Sequence, residues 1–123
     1  MISWIKGEII FSWFKNQKLF LLISCQGLGY EIQVLKNVSF YSNEKNITLW
    51  IEHIKREDSD ILFGFIQKEE RDFFRDLLKV RGIGPQIGMS LLNKYSINEV
   101  KSSLIKQNKD LISSVPGIGK KND

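Results

Sequence analysis

One short phrase, Val80-Arg81-Gly82-Ile83-Gly84-Pro85-Gln86, returns later in the chain as Val115-Pro116-Gly117-Ile118-Gly119-Lys120-Lys121. Each Gly-Ile-Gly follows an apolar segment with the spacing of a helix. Glycine reaches turn conformations that other residues disfavour, and it places no Cβ between the backbone and a ligand. If a helix begins after the second glycine, its first amide groups have no acceptor within the helix. The phrase therefore predicts a small pocket for an anion such as a phosphate oxygen.

The repetition of the phrase favours nucleic acid as the ligand, because two such pockets would hold two places on one polyphosphate backbone. An ordinary turn at the end of a helix is the alternative for either copy, since glycine is also favoured there. The charge distribution supports the phosphate interpretation. Residues 1–62 contain seven basic and seven acidic side chains, whereas residues 63–123 contain eleven and seven. The whole net charge of +4 thus lies in the half of the chain that contains the repeat.

The composition is that of a folded globular protein, with 42% hydrophobic and 26% charged residues in a chain of 123. The single cysteine, Cys25, cannot form an internal disulfide, and neither it nor the single histidine, His53, has neighbours with the spacing of metal ligands. We expect Cys25 to be buried in a reducing environment and His53 to be an ordinary strand residue. The longest uncharged run, Leu19–Tyr30, is too short to span a bilayer. We therefore expect a cytoplasmic protein with no metal, no cofactor and no membrane partner.

The first half of the chain has the alternation and the β-branched and aromatic content of strands. A tight turn is predicted at 27–30 and a long polar loop at 37–46. Five short strands of this length favour a small closed or partly closed barrel over a two-sheet sandwich. The predicted strands cover Ile2–Phe11, Leu19–Cys25, Glu31–Leu35, Ile47–Ile54 and Ile61–Phe65.

From Gln67 the apolar spacing changes from two residues to about 3.6. The first predicted helix has an apolar stripe, and Arg71 is among the charged residues on its other faces. A second helix is predicted to begin at Pro85. A third is predicted after Ser96, which forms a capping box with Glu99, and a fourth around 109–114. The aromatic residues are interpreted as core or barrel packing rather than as platforms for bases, namely Phe63, Phe65, Phe73, Phe74, Trp4, Trp13 and Trp50.

The order of these parts resembles the RuvA family, whose members bind Holliday junctions within the bacterial branch-migration complex. The resemblance covers essentially the whole chain, and its motifs occur in the order of the family. In the barrel half the matching motifs are Met1-Ile2 with Ile5-Lys6-Gly7, Gly27-Leu28-Gly29-Tyr30-Glu31, and Arg56-Glu57-Asp58 with Leu62-Phe63-Gly64-Phe65. In the helical half they are Glu70-Arg71 with Phe74 and Leu77-Leu78, Gly82-Ile83-Gly84-Pro85, and Leu111 with the second copy of the phrase.

The resemblance implies an α+β protein with a five-stranded oligonucleotide-binding (OB)-type β-barrel over residues 1–65 and an all-α helix-hairpin-helix domain over 66–123. It implies a homotetramer that binds four-way junction DNA, with a third domain that contacts the RuvB motor ATPase. It also implies the RuvC resolvase as a possible further partner. This chain ends where the family continues into the rest of the second motif, a linker and that third domain. We therefore expect an incomplete second motif, an absent third domain, and weak or lost contact with RuvB.

By the same resemblance, the phosphate contacts fall on two hairpins. A basic residue commonly follows the proline of the first hairpin, whereas this chain has Gln86, which adds no charge. Arg81, just before the hairpin, partly compensates. The predicted phosphate-binding residues are Gly82, Ile83, Gly84 and Gln86 in the first hairpin and Gly117, Ile118, Gly119, Lys120 and Lys121 in the second.

The resemblance also places an acidic pin at Glu57 and Asp58, with Arg56 beside it as a basic residue that faces DNA. Carboxylates at the tip of a turn repel phosphates, so a continuous duplex across the centre would be penalised. A four-way junction, whose strands diverge at the centre, would be tolerated. Without the resemblance, Glu57 and Asp58 would be interpreted as solvated turn residues.

Three functions remain to be compared. The first is a non-catalytic, structure-specific DNA-binding subunit that assists a separate ATPase. The second is a helix-hairpin-helix repair enzyme, which needs a catalytic Lys or Asp after a hairpin, yet the only acid after the second copy is the terminal Asp123. The third is a truncated remnant that binds DNA weakly and without specificity. The sequence contains no Gly-x-x-x-x-Gly-Lys-Ser/Thr loop for ATP, and we predict a DNA-binding protein with no catalytic residue.

Overall fold

The alternation of apolar and polar residues in the first half builds five strands in the computed structural model, which describes residues 1–41 and 45–106. Apolar residues at every second position lie inside, as in β2, where Leu19, Leu21 and Ile23 are buried. Three helices follow in the described part of the chain. The predicted fold class, a five-stranded barrel followed by helices, is confirmed. The strands are β1 (Trp4–Lys15), β2 (Lys18–Cys25), β3 (Leu28–Val34), β4 (Asn46–Lys55) and β5 (Asp60–Phe65).

The five strands close into a barrel in the order β1-β2-β3-β5-β4. The β3–β5 pair is parallel and the other four pairs are antiparallel. The last strand in sequence therefore lies between β3 and β4, and its insertion closes the cylinder. The interior is filled by aliphatic side chains, among them Ile5, Leu19, Leu21, Ile23, Ile32, Val34, Ile47, Leu49 and Ile51.

A β-bulge in β1 reverses which residues face the core. The register pairs Ile9 with Ile23 and then Phe11 with Leu22, so Ile10 is the extra residue. Ile9 packs against the core, whereas Phe11 is exposed on the outside. The hairpin beyond the bulge ends in the two-residue turn Asn16-Gln17, in which both residues have positive φ, 53° and 65°. This is the pattern of a type I′ turn, which matches the twist of the two strands.

Three local predictions for the barrel differ from the structure. The turn between β2 and β3 is Gln26-Gly27, with φ of 51° and 83°, and Leu28 already belongs to β3. The predicted polar loop contains a short 3₁₀ helix at Lys36–Tyr41, because Val38 is apolar enough to be buried against the barrel core. Cys25 is half-buried rather than buried, since it is the last residue of β2.

The helices are α1 (Lys68–Leu77), α2 (Pro85–Lys94) and α3 (Ile97–Ile105). The prediction that α2 begins at Pro85 is confirmed. The described residues divide into two compact units, one ending at residue 71 and the other beginning at residue 72. The second unit has its own apolar core, formed by Phe73, Leu77, Ile83, Leu91 and Val100. None of the helices in the described ranges has the length and apolarity needed to cross a membrane.

Arg71 explains why the first unit extends past the barrel into the first turns of α1. Its side chain is only 6% exposed, although the helical pattern placed it on a charged face. The guanidinium Nη1 donates hydrogen bonds to the carbonyl oxygens of Ser3 and Ile51, both at 3.1 Å. It also lies 5.5 Å from the centre of the Trp50 ring. Arg71 therefore ties the start of the helix to two barrel segments that are distant in sequence.

The packing predicted for the phenylalanines is confirmed, whereas among the tryptophans Trp4 is 48% exposed and Trp13 is only half-buried. Phe63, Phe65, Phe73 and Phe74 are all buried. The three tryptophans lie on barrel strands, with Trp4 and Trp13 on β1 and Trp50 on β4.

The predicted capping box at the start of α3 is also confirmed. The Glu99 amide donates to the Ser96 hydroxyl at 3.1 Å, and the Ser96 amide donates to the Glu99 carboxylate at 2.9 Å. Hydrogen bonds from the Ser96 backbone amide first, and from its hydroxyl second, hold the pKa of Glu99 below its ordinary value of 4.5. The ionised form of Glu99 is thus favoured over the protonated form in the folded protein.

We expect Ser96→Ala to lower the free energy of unfolding by about 1 kcal/mol, because the Glu99 amide loses its acceptor.

Glu99→Gln should retain the capping geometry but lose the charge. Because the folded pKa of Glu99 is lowered, its ionic contribution is present above pH 4.5 and is lost as the pH falls through the folded pKa. Thermal unfolding should therefore separate Glu99→Gln from the unmodified protein at pH 7, and the difference should shrink as the pH is lowered below 4.5. A difference that persists at the lower pH would contradict this account.

Candidate nucleic-acid interface

The first Gly-Ile-Gly forms a tight turn between α1 and α2. The Ile83 amide donates to the Val80 carbonyl at 3.1 Å, which closes a four-residue turn. Gly82, the third residue of this turn, has φ of +90°, whereas Arg81 before it does not have a positive φ. This is the signature of a type II turn, in which glycine is favoured at the third position. The turn conformation is thus a direct consequence of the sequence.

The buried side chain of Ile83 fixes the position of this turn on the second unit. The side chain lies in the apolar core of the second unit, together with Leu77 and Leu91. The two glycines on either side therefore lie on a fixed backbone segment. An apolar residue between two glycines gives the phrase its Gly-Ile-Gly form.

Gly84 is the N-cap of α2, and Pro85 is its first residue. The Gly84 carbonyl accepts the first helical hydrogen bond, from the Gly88 amide at 2.9 Å. Its backbone is extended, with φ of −88° and ψ of 178°, and no side chain caps the helix. Among residues 1–41 and 45–106, a Cβ added at Gly84 would meet no atom within 4 Å. The start of α2 is therefore open to an approaching group, and the helix dipole favours an anion there.

The other predicted residues of the first hairpin lie beside this helix start. Arg81 is exposed in the turn, and Gln86 is a half-buried residue in the first turn of α2. The second phrase, with Gly117, Ile118, Gly119, Lys120 and Lys121, lies outside the described residues, as does the predicted helix at 109–114.

Glu57 and Asp58 lie at the tip of the hairpin between β4 and β5. The last cross-strand pair is Lys55 with Asp60, and the Arg56 amide donates to the Ser59 carbonyl at 2.8 Å. The side chains of Arg56, Glu57 and Asp58 are all exposed. Two carboxylates therefore project from a short, hydrogen-bonded loop. This loop belongs to the first unit, whereas the Gly-Ile-Gly turn belongs to the second.

His53 supports the base of this loop, a role that the sequence did not indicate. Its Nδ1 accepts a hydrogen bond from the Ile2 amide at 3.2 Å, so the neutral ring has its proton on Nε2. That nitrogen lies 3.5 Å from a carboxylate oxygen of Asp60. The contact joins the start of the chain to the first residue of β5. An isolated histidine in an alternating strand offers no sequence signal for such a contact.

Two lysines of the second unit lie over aromatic rings, and the sequence did not predict these contacts either. The ammonium of Lys94 is 5.4 Å from the Tyr95 ring centre, and that of Lys101 is 5.6 Å from the Phe73 ring centre. These contacts hold cations at defined places on the helical unit. In the described ranges, no group of His, Cys, Asp or Glu side chains could hold a metal ion.

Comparison with known proteins gives matches to both halves of the chain. A family model described as the RuvA N terminal domain matches residues 1–64, and one described as a SAM-like helix-hairpin-helix tandem matches residues 74–122. The second range includes both copies of the Gly-Ile-Gly phrase.

Several curated proteins from Prochlorococcus marinus are similar to the chain over 98% of its length. The Holliday junction branch migration complex subunit RuvA of strain MIT 9312 is 59% identical, and that of strain MIT 9215 is 56% identical. The subunit of the same name from strain NATL1A is 38% identical. The matches cover 56%, 56% and 54% of those proteins, so the chain spans about half the length of the curated relatives it matches.

Proposed function

This chain belongs to the RuvA family, and from that premise we propose that it binds four-way junction DNA by its phosphates and catalyses no reaction. The relatives are named as subunits of a Holliday junction branch migration complex. In our proposal, this chain is the DNA-binding subunit of such a complex, and a separate ATPase, RuvB, moves the strands. A homotetramer would present several copies of the same contacts to the four arms, and RuvC would act on the junction so held.

The observation that carries the proposal is the open N-terminus of α2 at Gly84. The cap has no side chain, a Cβ built there would meet no described atom within 4 Å, and the turn before it is fixed by Gly82 and by the buried Ile83. A phosphate oxygen could approach the backbone there, with the exposed Arg81 nearby in sequence as a point charge. Contacts of this kind read the shape of the DNA and not its base sequence. The second phrase, Gly117 to Lys121, would make the equivalent contact.

The acidic pin would supply the preference for a junction. The exposed carboxylates of Glu57 and Asp58 would repel the phosphates of a continuous duplex that crossed this loop. Where four strands diverge, no phosphate needs to lie over the pin. Attraction by the glycine hairpins and repulsion by the pin would together select the branched substrate.

The proposal is tested by measuring the affinity of the 123-residue chain for a four-way junction and for a linear duplex of the same arm sequence. If at least four phosphates are contacted, junction affinity should fall on the order of a hundred-fold between about 50 and 200 mM salt, because condensed counterions are released. The junction should bind more tightly than the duplex at every salt concentration. Equal affinities, or an affinity that does not respond to salt, would contradict the proposal.

Neutralising the pin should reduce the preference for the junction. In the double variant Glu57→Gln with Asp58→Asn, we expect linear duplex to bind about ten-fold more tightly, since two unit charges near phosphates are removed. Junction affinity should change much less. The double variant Glu8→Gln with Glu31→Gln is the control, because it changes the net charge equally at barrel positions outside the loop. If both double variants raise duplex binding equally, then net charge and not the pin would be responsible.

A further inference from the structure

The outer face of the β1–β2 hairpin carries a row of three aromatic rings. The β-bulge turns Phe11 and Trp13 outward, and Phe20 lies opposite Trp13 in the register of the two strands. The ring centres of Phe11 and Trp13 are 5.7 Å apart, and those of Trp13 and Phe20 are 5.6 Å apart. The interplanar angles are 26° and 13°, so the three rings are nearly parallel. We call Phe11, Trp13 and Phe20 the aromatic row.

The rings of the aromatic row are available to a ligand. Carbon atoms in contact lie ~3.5–4.0 Å apart, so centres at 5.7 and 5.6 Å mean that the rings are displaced sideways and leave part of their faces uncovered. Phe11 is 59% exposed, and Trp13 and Phe20 are half-buried. The core is filled from the opposite face of β2, by Leu19, Leu21 and Ile23. The aromatic row is therefore not needed to fill the barrel interior.

The aromatic row is basic at its hairpin end, whereas Glu31 of β3, opposite Leu22, lies on the same outer face at the Phe11 end. Lys15 and Lys18 are directly opposite each other at the end of the hairpin, and each lies two residues from a ring of the row, on the same face. From Phe11 to Leu22 the chain contains no acidic residue. The tight turn at Asn16-Gln17 holds the two lysines together. A flat, parallel set of rings next to two cations suits a ligand that has both planar apolar groups and negative charges.

We propose that this outer face binds single-stranded DNA, with unpaired bases stacked on the aromatic row and phosphates close to Lys15 and Lys18. Stacking on aromatic side chains beside a basic groove is how proteins hold single strands without sequence preference. Paired bases in a duplex have their faces covered by their neighbours, so only unpaired bases could use the aromatic row. This site is separate from Gly84, which contacts phosphates in the proposed function, and it does not depend on junction binding.

The experiment uses the 123-residue chain and a fluorescently labelled oligothymidylate of about fifteen nucleotides, a length within the range that one such barrel binds. We expect saturable binding in an anisotropy titration, together with quenching of tryptophan fluorescence. Trp13→Ala should weaken binding about ten-fold through the loss of base stacking. Trp13→Phe should bind nearly as well as the unmodified chain but lose most of the quenching, because a ring remains while the reporter is removed. Lys15→Gln with Lys18→Gln should reduce the dependence of affinity on salt.

Phe14→Ala is the matched control, because Phe14 is 63% exposed on the same strand but points to the other side of the hairpin. It should leave oligothymidylate binding unchanged.

Thermal unfolding of each variant shows that its barrel is folded, and Trp13→Phe keeps the test informative if Trp13→Ala unfolds. Absence of binding, or equal binding by folded Trp13→Ala, would overturn the proposal. So would a loss of binding in Gly84→Asp but not in Trp13→Ala, which would assign the oligonucleotide to the glycine turn. If Trp13→Ala instead changes the mass in sedimentation and not the affinity for oligothymidylate, the aromatic row contacts a second copy of the chain.

Discussion

Gly84→Asp is expected to weaken junction binding by at least about ten-fold while the protein remains fully folded. The φ of −88° and ψ of 178° at this position suit any residue, and a Cβ there meets no atom of the described part of the chain within 4 Å. Aspartate is also a favoured N-cap, and its charge is stabilising at a helix N-terminus, so α2 should be as stable as before or slightly more stable. The carboxylate would occupy the space that the proposal gives to a phosphate and would repel that phosphate. The measurement is junction affinity together with the melting temperature.

Gly84→Asn is the matched control, because asparagine and aspartate are about equally good N-caps and differ by one charge. We expect Asn to weaken junction binding several-fold through its bulk alone, and Asp to weaken it further. If the two variants bind equally weakly, the turn contacts an uncharged part of the DNA. Wild-type affinity in Gly84→Asp would show that this turn does not contact the junction.

Arg71→Ala is expected to lower the free energy of unfolding by about 3 kcal/mol or more, since each of its two hydrogen bonds from a charged donor contributes ~1.5–3 kcal/mol. The variant also leaves the carbonyls of Ser3 and Ile51 without this donor and exposes the Trp50 ring. A fall in melting temperature of about 10 °C or more should follow. Tryptophan fluorescence reports the transition, because Trp4, Trp13 and Trp50 all lie on barrel strands.

Lys79→Ala serves as the control for Arg71→Ala. Lys79 is also a cation, but it is exposed, and its ammonium pairs with the exposed carboxylate of Asp76 at 3.4 Å. This variant should change stability by less than about 0.5 kcal/mol. Arg71→Lys should have a stability between those of the unmodified chain and Arg71→Ala. A lysine ammonium can donate to one of the two carbonyls but lacks the planar guanidinium that reaches both. If Arg71→Ala were as stable as Lys79→Ala, the link between the helix start and the barrel would have no energetic role.

The sequence predicts those features of the barrel and the turn that depend on neighbouring residues. The period of two in β2 and β4, proline after Gly84, and the Ser96 and Glu99 pair each act within a few residues. Each of these predictions is confirmed by the structure. The type II turn at Gly82 follows in the same way from a local steric rule.

Features that depend on distant partners were not predictable. The burial of Arg71 requires carbonyls from Ser3 and Ile51, which only the closed barrel brings to it. The bulge at Ile10 has no glycine or proline to mark it, so Phe11 and Trp13 could not be assigned to the outside. The turn at Gln26-Gly27 places a glutamine at positive φ, which is uncommon for that residue. At Arg71, tertiary contacts thus overrode the local helical pattern.

The position of β5 in the barrel has a consequence for synthesis on the ribosome. Because β5 lies between β3 and β4, a growing chain that has reached only the end of β4 has two unsatisfied strand edges and an open apolar interior. The missing strand and the Arg71 anchor follow within Asp60–Arg71, so they emerge almost together. Folding should thus be delayed until this segment clears the exit tunnel and should then proceed in one cooperative step. A nascent chain arrested before Asp60 should be the species that chaperones bind.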